Sequence, residues 1–206
     1  MGSALGLVVV SAGLTVAGGH LAEQRRLQRE LRLEQDLHAA AALLVRDLRR
    51  SGYWWHASAA GAGPNPYAGW TLSGTASAPS LTTAWAHPQR SEDDILSPDE
   101  RRGLRLRAGV LEMQLGQGNW QALTDINVLR VTSLRLTPRE EILTRSCPGT
   151  CGESRAGEKP ACTAQLVLRH LQIELQVRSA RVPSLERRWQ GELRLRNDEE
   201  QGRCGA

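Results

Sequence analysis

The first 22 residues carry no charged side chain, whereas the remainder of the 206-residue chain is rich in charge. As an α-helix, 22 residues would be about 33 Å long, close to the roughly 30 Å hydrocarbon core of a bilayer. We therefore predict that residues 1–22 form a membrane-spanning helix. A secretory signal peptide, for which no basic residue precedes Leu5, and a buried core helix are the alternatives. The apolar positions assigned to this segment are Leu5, Leu7, Val8, Val9, Val10, Leu14, Val16 and Leu21.

Residues 23–52 continue the helix with an amphipathic pattern. Leucine and alanine recur at spacings of mostly three or four between Arg, Glu and Gln, which predicts one apolar face. Neither Pro nor Gly interrupts the chain from Leu21 to Ser51, and Ser51-Gly52 is a stop signal. A helix of some 50 residues, about 75 Å long, is too long for one globule. The residues predicted to pack on a sheet are Leu37, Ala41, Leu44 and Leu48.

Residues 53–206 are predicted to form a β domain. Tyr53 to Gln89 is rich in Gly, Pro, Ser and Ala and is interpreted as a long loop anchored by tryptophans. Later segments alternate apolar and polar residues, with a hairpin at Ala108-Gly109 and a bulge at Thr132-Ser133. One apolar and one polar face are typical of an antiparallel sheet wetted on one side. The predicted fold class is α+β, with the long N-terminal helix packed on an antiparallel β-sheet.

Catalysis finds no support in the sequence, so we predict a protein that is not an enzyme and needs no cofactor or metal. The glycine pairs lack the context of a phosphate-binding loop, and the five histidines are scattered without metal-ligand spacing. Glu140-Glu141 and Glu199-Glu200 are adjacent pairs, which suit solvated turns better than acid/base chemistry.

Four cysteines lie in or beside polar segments, three of them in a Cys-rich loop over residues 147–162. Their intervals do not fit the paired CxxC spacing of a zinc site. Two disulfides in an oxidising compartment are the favoured interpretation, with three possible pairings. The disulfide candidates are Cys147, Cys151, Cys162 and Cys204.

The net charge of +4 is too small to indicate a nucleic-acid partner. Arg105, Arg107, Arg194 and Arg196 alternate along predicted strands and could form a basic stripe. Because glutamates share the same kinds of faces, we favour a solvated sheet of mixed charge and expect no nucleic-acid binding.

The order of these parts resembles the type IV pilin-like proteins, specifically the PilW-like minor pilins described as prepilin peptidase-dependent proteins. The residues that carry the resemblance are the apolar run Ala4–Val10, the helix end Leu43–Trp54, and the segments Trp120–Asp125 and Gly191–Asp198. The resemblance implies a pilin-like fold, with the helix half in the inner membrane and half on a periplasmic sheet. It also implies a minor pilin of the pilus that primes filament assembly, with other minor pilins and the major pilin as partners.

One departure from the family pattern concerns the start of the chain. The family has a basic leader, a cleavage Gly and a Glu shortly after it, and none of these precedes Gly2-Ser3-Ala4. The arginines after residue 22 would also keep the C-terminal part in the cytoplasm by the positive-inside rule. Truncation would explain both observations, either through a start placed too far downstream or through trimming of the chain, and a degenerate member is the alternative.

The sequence is also compatible with three other functions. A minor pseudopilin of the J type, from type II secretion, has a similar helix end. A signal-anchored periplasmic binding domain that does not polymerise is disfavoured by the long uninterrupted helix. A cytosolic zinc-dependent nucleic-acid module would need the thiols reduced and bound to metal.

Overall fold

The computed structural model describes residues 2–56, 65–87, 94–146, 163–196 and 198–201. Of residues 2–17, 22, 163 and 199–201 it describes the backbone only. A single long helix begins near its N-terminus. The helix α1 spans Gly2–Leu48, 47 residues, and is therefore about 70 Å long. It ends, as predicted, just before Ser51-Gly52, and Gly52 has a positive φ of 80°. A 3₁₀ turn at Pro98–Glu100 is the other helical element of the described chain.

The first sheet, sheet A, is an antiparallel meander in which each strand pairs with the next. Its strands are β1 Thr71–Thr75, β2 Ala78–Ala84, β3 Arg101–Arg107, β4 Val110–Leu115 and β5 Trp120–Ala122. The predicted hairpin between β3 and β4 is confirmed. Ala108 and Gly109 both have positive φ, 51° and 80°, as the tight turns of hairpins require.

The second sheet, sheet B, is also antiparallel, and its central strand pairs on both sides. Its strands are β6 Leu129–Ser146, β7 Thr163–Ser179, β8 Glu186–Arg194 and β9 Glu199–Gln201. β6 covers one edge of β7, while β8 and then β9 cover the other edge. The predicted bulge is confirmed, because the register of β6 on β7 shifts between Val131 and Ser133.

One hydrophobic core joins the helix to both sheets. It contains apolar residues of the C-terminal part of α1 from Leu33 onward, of β6, β7 and β8, and four leucines of sheet A, Leu81, Leu104, Leu106 and Leu111. A smaller cluster packs Trp54 and Tyr67 against Ala84 and Ala86, beside the end of the helix. The α+β layout, with α1 on antiparallel sheets, is therefore confirmed.

Two predictions about the β domain are wrong. The region 53–89 is not one long loop, because β1 and β2 form a hairpin within it, and β2 pairs with β3. Its Gly, Ser, Thr and Pro content has the composition of a loop, but pairing along β3 overrides that preference. Glu140-Glu141 lies within β6 rather than in a turn, and Glu199-Glu200 lies within β9.

Candidate interaction helix and its anchorage

The helix α1 is buried along only part of its length. Every described side chain from Gly18 to Arg32 is exposed except that of Glu30, which is half-buried. From Leu33 onward one face is buried, and its residues are Leu33, Leu37, Ala40, Ala41, Leu44 and Leu48. The helix therefore leaves the domain at about Leu33 and extends beyond it.

The four residues predicted to pack against a sheet, Leu37, Ala41, Leu44 and Leu48, are all buried on this face. Their spacing follows the helical repeat, so they fall on one stripe. Three of them belong to the core shared with β6, β7 and β8. Leu33 and Ala40 are buried on the same face and were absent from the prediction, although their positions fit its three-or-four spacing.

The apolar positions predicted for the membrane segment are helical in backbone, but most of their side chains lie outside the described residues. This applies to Leu5, Leu7, Val8, Val9, Val10, Leu14 and Val16. Leu21 is described and exposed. Within the described part of the chain, no helix is both long and apolar enough to cross a membrane.

Charged side chains connect the exposed helix to β8. Nε of Arg187 lies 3.3 Å from Oε2 of Glu34, and its terminal nitrogen lies 3.5 Å from Oε2 of Glu30. Glu30 also pairs with Arg26, at 3.1 Å, and Glu34 lies 3.7 Å from Nε2 of His38. Exposed pairs of this kind contribute about 0–1 kcal/mol each. The network therefore contributes little to stability, and it links the helix to β8 near the point where the helix leaves the domain.

The chain leaves the helix through a tight contact at Gly52. A Cβ at this position would lie 2.7 Å from the main-chain oxygen of Arg196, and the positive φ already favours glycine. The amide of Gly52 donates to the oxygen of Ala84, and the amide of Arg196 donates to that of Ser51. The end of α1 is thus joined to β2 of sheet A and to the segment that follows β8.

A cationic and aromatic group surrounds the last turn of the helix. The guanidinium carbons of Arg50 and Arg102 lie 5.4 and 4.7 Å from the ring centroid of Trp85, on which His87 stacks. Burial raises the pKa of Asp47, although the positive charge of Arg102 nearby acts to lower it. Burial also lowers the pKa of Arg102. These contacts hold the end of α1 against β2 and β3.

A second connection after the helix uses Asp94, which the sequence did not single out. Its Oδ1 accepts a hydrogen bond from Nε1 of Trp54, at 2.5 Å, and lies 2.9 Å from Nδ1 of His56. The bond from Trp54, followed by that from His56, lowers the pKa of Asp94 below its usual value. This contact ties the segment after α1 to the one before the 3₁₀ turn.

Buried Glu100 joins three segments around the smaller cluster. One of its carboxyl oxygens accepts the amide of His87, and the other accepts the amide of Ser97, both at 2.9 Å. The hydroxyl of Tyr67 donates to the same carboxyl at 3.2 Å. These hydrogen bonds to Glu100 have a structural role, because they hold in place the loops beside the end of the helix.

Three of the four arginines considered for a basic stripe, Arg105, Arg194 and Arg196, have local partners. Arg105 pairs with Glu112 at 2.5 Å and lies over Trp120, while Arg194 pairs with Asp198. Arg196 lies over Tyr53. Among the described residues no group of three or more His, Cys, Asp or Glu side chains could hold a metal ion. The four cysteines lie outside the described residues.

A family model matches most of this chain. The model of prepilin peptidase-dependent protein B matches residues 26–195, from the exposed part of α1 to the end of β8. No curated protein and no solved structure matches the chain at a significant level. The order of helix, meander and second sheet falls within the matched range, and the chain therefore belongs to the prepilin peptidase-dependent protein B family.

Proposed function

We propose that this protein is a minor pilin of a type IV pilus, with a pilin-like fold and a structural rather than catalytic role. The observation that carries the proposal is that the helix extends beyond its domain. The helix α1 is about 70 Å long, but its buried face begins only at Leu33. An exposed helix with leucines on it is stabilised by packing against other helices. The family match supports partners from the pilus machinery.

In the proposed mechanism the N-terminal half of α1 begins in the inner membrane, with the β domain in the periplasm. It then packs among the corresponding helices of other minor pilins and the major pilin. Apolar burial between helices supplies the driving force, and the chain primes filament assembly. The ion pairs of Arg187 with Glu30 and Glu34 are consistent with this mechanism, because they link the helix to β8 where it leaves the domain.

The exposed leucines of the helix provide a direct test. Leu27 and Leu31 are four residues apart, and so neighbours on one face, and Leu31 is 60% exposed. We expect Leu31→Glu to abolish or strongly reduce surface filaments in cells that carry it in place of the wild type. A carboxylate buried among helices without a partner costs several kcal/mol. Filaments are counted by electron microscopy, with protein levels checked by immunoblot.

The matched control is Leu72→Glu, which makes the same change at an exposed position of β1. Both variants should melt at the wild-type temperature, because neither leucine is in the core. Normal filaments in the Leu31→Glu strain would contradict the proposal. Loss of protein secretion with intact filaments would instead identify a type II secretion pseudopilin. Normal filaments and normal secretion would favour a periplasmic binding domain.

The disulfides remain a prediction, and the ladder of β6 and β7 now favours one pairing. Ser146, which immediately precedes Cys147, pairs with Thr163, which immediately follows Cys162. Opposed residues in antiparallel ladders have Cα atoms about 4.5–5.5 Å apart, within the range that a disulfide needs. We therefore expect a bond between Cys147 and Cys162, stabilising the fold by about 3 kcal/mol.

Tandem mass spectrometry of an unreduced tryptic digest measures this pairing. Cys147 and Cys151 share one tryptic peptide, so fragmentation between them is needed to assign the link. The reduced digest serves as the control. A bond from Cys162 to Cys204, or four free thiols, would show that the expectation is wrong.

A further inference from the structure

Among the residues that the structure describes, the distal half of β6 is an exposed edge of sheet B. β6 is the edge strand of sheet B, with β7 as its partner within the sheet. All ten residues 137–146 are exposed, including Ile142 at 57% and Leu143 at 45%. An edge strand presents unpaired main-chain N–H and C=O groups, which are a template for another strand. We call residues 140–146 the edge segment.

Charged residues and proline are the usual means by which proteins prevent pairing at such edges. The edge segment has charged residues, but they are self-complementary in one register. If two copies pair antiparallel about a two-fold axis at Leu143, Glu141 of each copy lies opposite Arg145 of the other. Opposite charges directly across an antiparallel pair are stabilising, and like charges are destabilising.

The apolar residues fit the same register. Leu143 of one copy would face Leu143 of the second copy. Leu143 already pairs with Leu166 across β6 and β7. The paired sheets would therefore carry a continuous strip of four leucines, with a Glu141–Arg145 pair on each side. On the opposite face Ile142, which pairs with Val167, would lie beside Thr144 of the second copy.

We propose that two copies of this chain associate through the edge segment, by antiparallel pairing centred on Leu143. Shifting the register by one pairing step in either direction loses the charge match. Centring the axis on Ile142 opposes Arg139 to Arg145, and centring it on Thr144 opposes Leu143 to Arg145. Main-chain hydrogen bonds supply the attraction, and the Glu141–Arg145 pairs select the register.

The test measures dimerisation of the full chain by sedimentation equilibrium in density-matched detergent, which covers the uncharged N-terminal run. The wild type should show a concentration-dependent dimer. Glu141→Arg and Arg145→Glu should each raise the dissociation constant at least about tenfold, since each replaces two attractive pairs by two repulsive ones. The variant that carries both Glu141→Arg and Arg145→Glu should return the dissociation constant to within about threefold of the wild-type value.

A charge reversal outside the pairing register, Arg139→Glu, is the control and should change the constant by less than about threefold. Leu143→Cys should give an intermolecular disulfide on oxidation, whereas Thr137→Cys, far from the axis, should not. Circular dichroism melts check that all variants fold. A monomeric wild type at 100 µM or so, no effect of either single reversal, or no rescue by the double variant would each overturn the proposal.

Discussion

Leu44→Ala should lower the free energy of unfolding by about 3 kcal/mol, because the leucine is 1% exposed in the core between helix and sheets. Truncating a buried leucine costs the transfer energy of the lost carbons and leaves a cavity that the surroundings fill only partly. Urea denaturation followed by circular dichroism measures the change. An unfolding transition that splits into two would indicate that α1 separates from the sheets before they unfold.

The neighbouring residue is the matched control for Leu44. Leu43 is adjacent to Leu44 in the sequence and allows the same leucine-to-alanine substitution, but its side chain is 39% exposed. Leu43→Ala should cost less than about 1 kcal/mol. Equal effects at the two positions would contradict the orientation of the helix on the sheets, since the buried stripe would then not be the one described.

Glu100→Ala should also lower the free energy of unfolding by about 3 kcal/mol, since it leaves buried donors without an acceptor. The carboxyl is 1% exposed and accepts the amides of His87 and Ser97 and the hydroxyl of Tyr67. Glu100→Gln keeps the size of the side chain but turns an NH₂ group towards one of the two amides. We expect it to cost about 2 kcal/mol. Thermal and denaturant unfolding measure both variants.

Two further variants separate the contributions to this cluster. Glu186→Gln makes the same chemical change at an exposed position of β8 and should be neutral within about 0.5 kcal/mol. Tyr67→Phe removes one donor and should cost about 1 kcal/mol. If Glu100→Gln were as stable as the wild type, the carboxyl would not be what holds the segments around the smaller cluster.

The helix was predictable because its signal is local. The spacing of apolar residues, the absence of Pro and Gly from Leu21 to Ser51, and the stop at Ser51-Gly52 each depend on neighbours in sequence. The hairpin at Ala108-Gly109 was predictable for the same reason, since a tight turn between two alternating segments fixes the pairing. In both cases local preference and tertiary packing agree.

The β1–β2 hairpin and the distal half of β6 have no local sequence pattern that predicts a strand. β1 is exposed at every position and β6 is exposed from Thr137 to Ser146, so neither alternates between apolar and polar residues. Their strands form because neighbouring strands supply main-chain hydrogen-bond partners. Asp94 and Glu100 were missed as well, because their partners come from segments that only the fold brings together.

The sequence by itself determined that one long helix precedes an antiparallel β domain, because period, glycine, proline and charge act over a few residues. It also carried the family resemblance that the family match confirms. Only the tertiary structure decided where the helix leaves the domain, at about Leu33, and that β6 lies at an edge of sheet B among the described residues. The reason is physical: burial and strand pairing depend on residues distant in sequence, and local patterns do not record their positions.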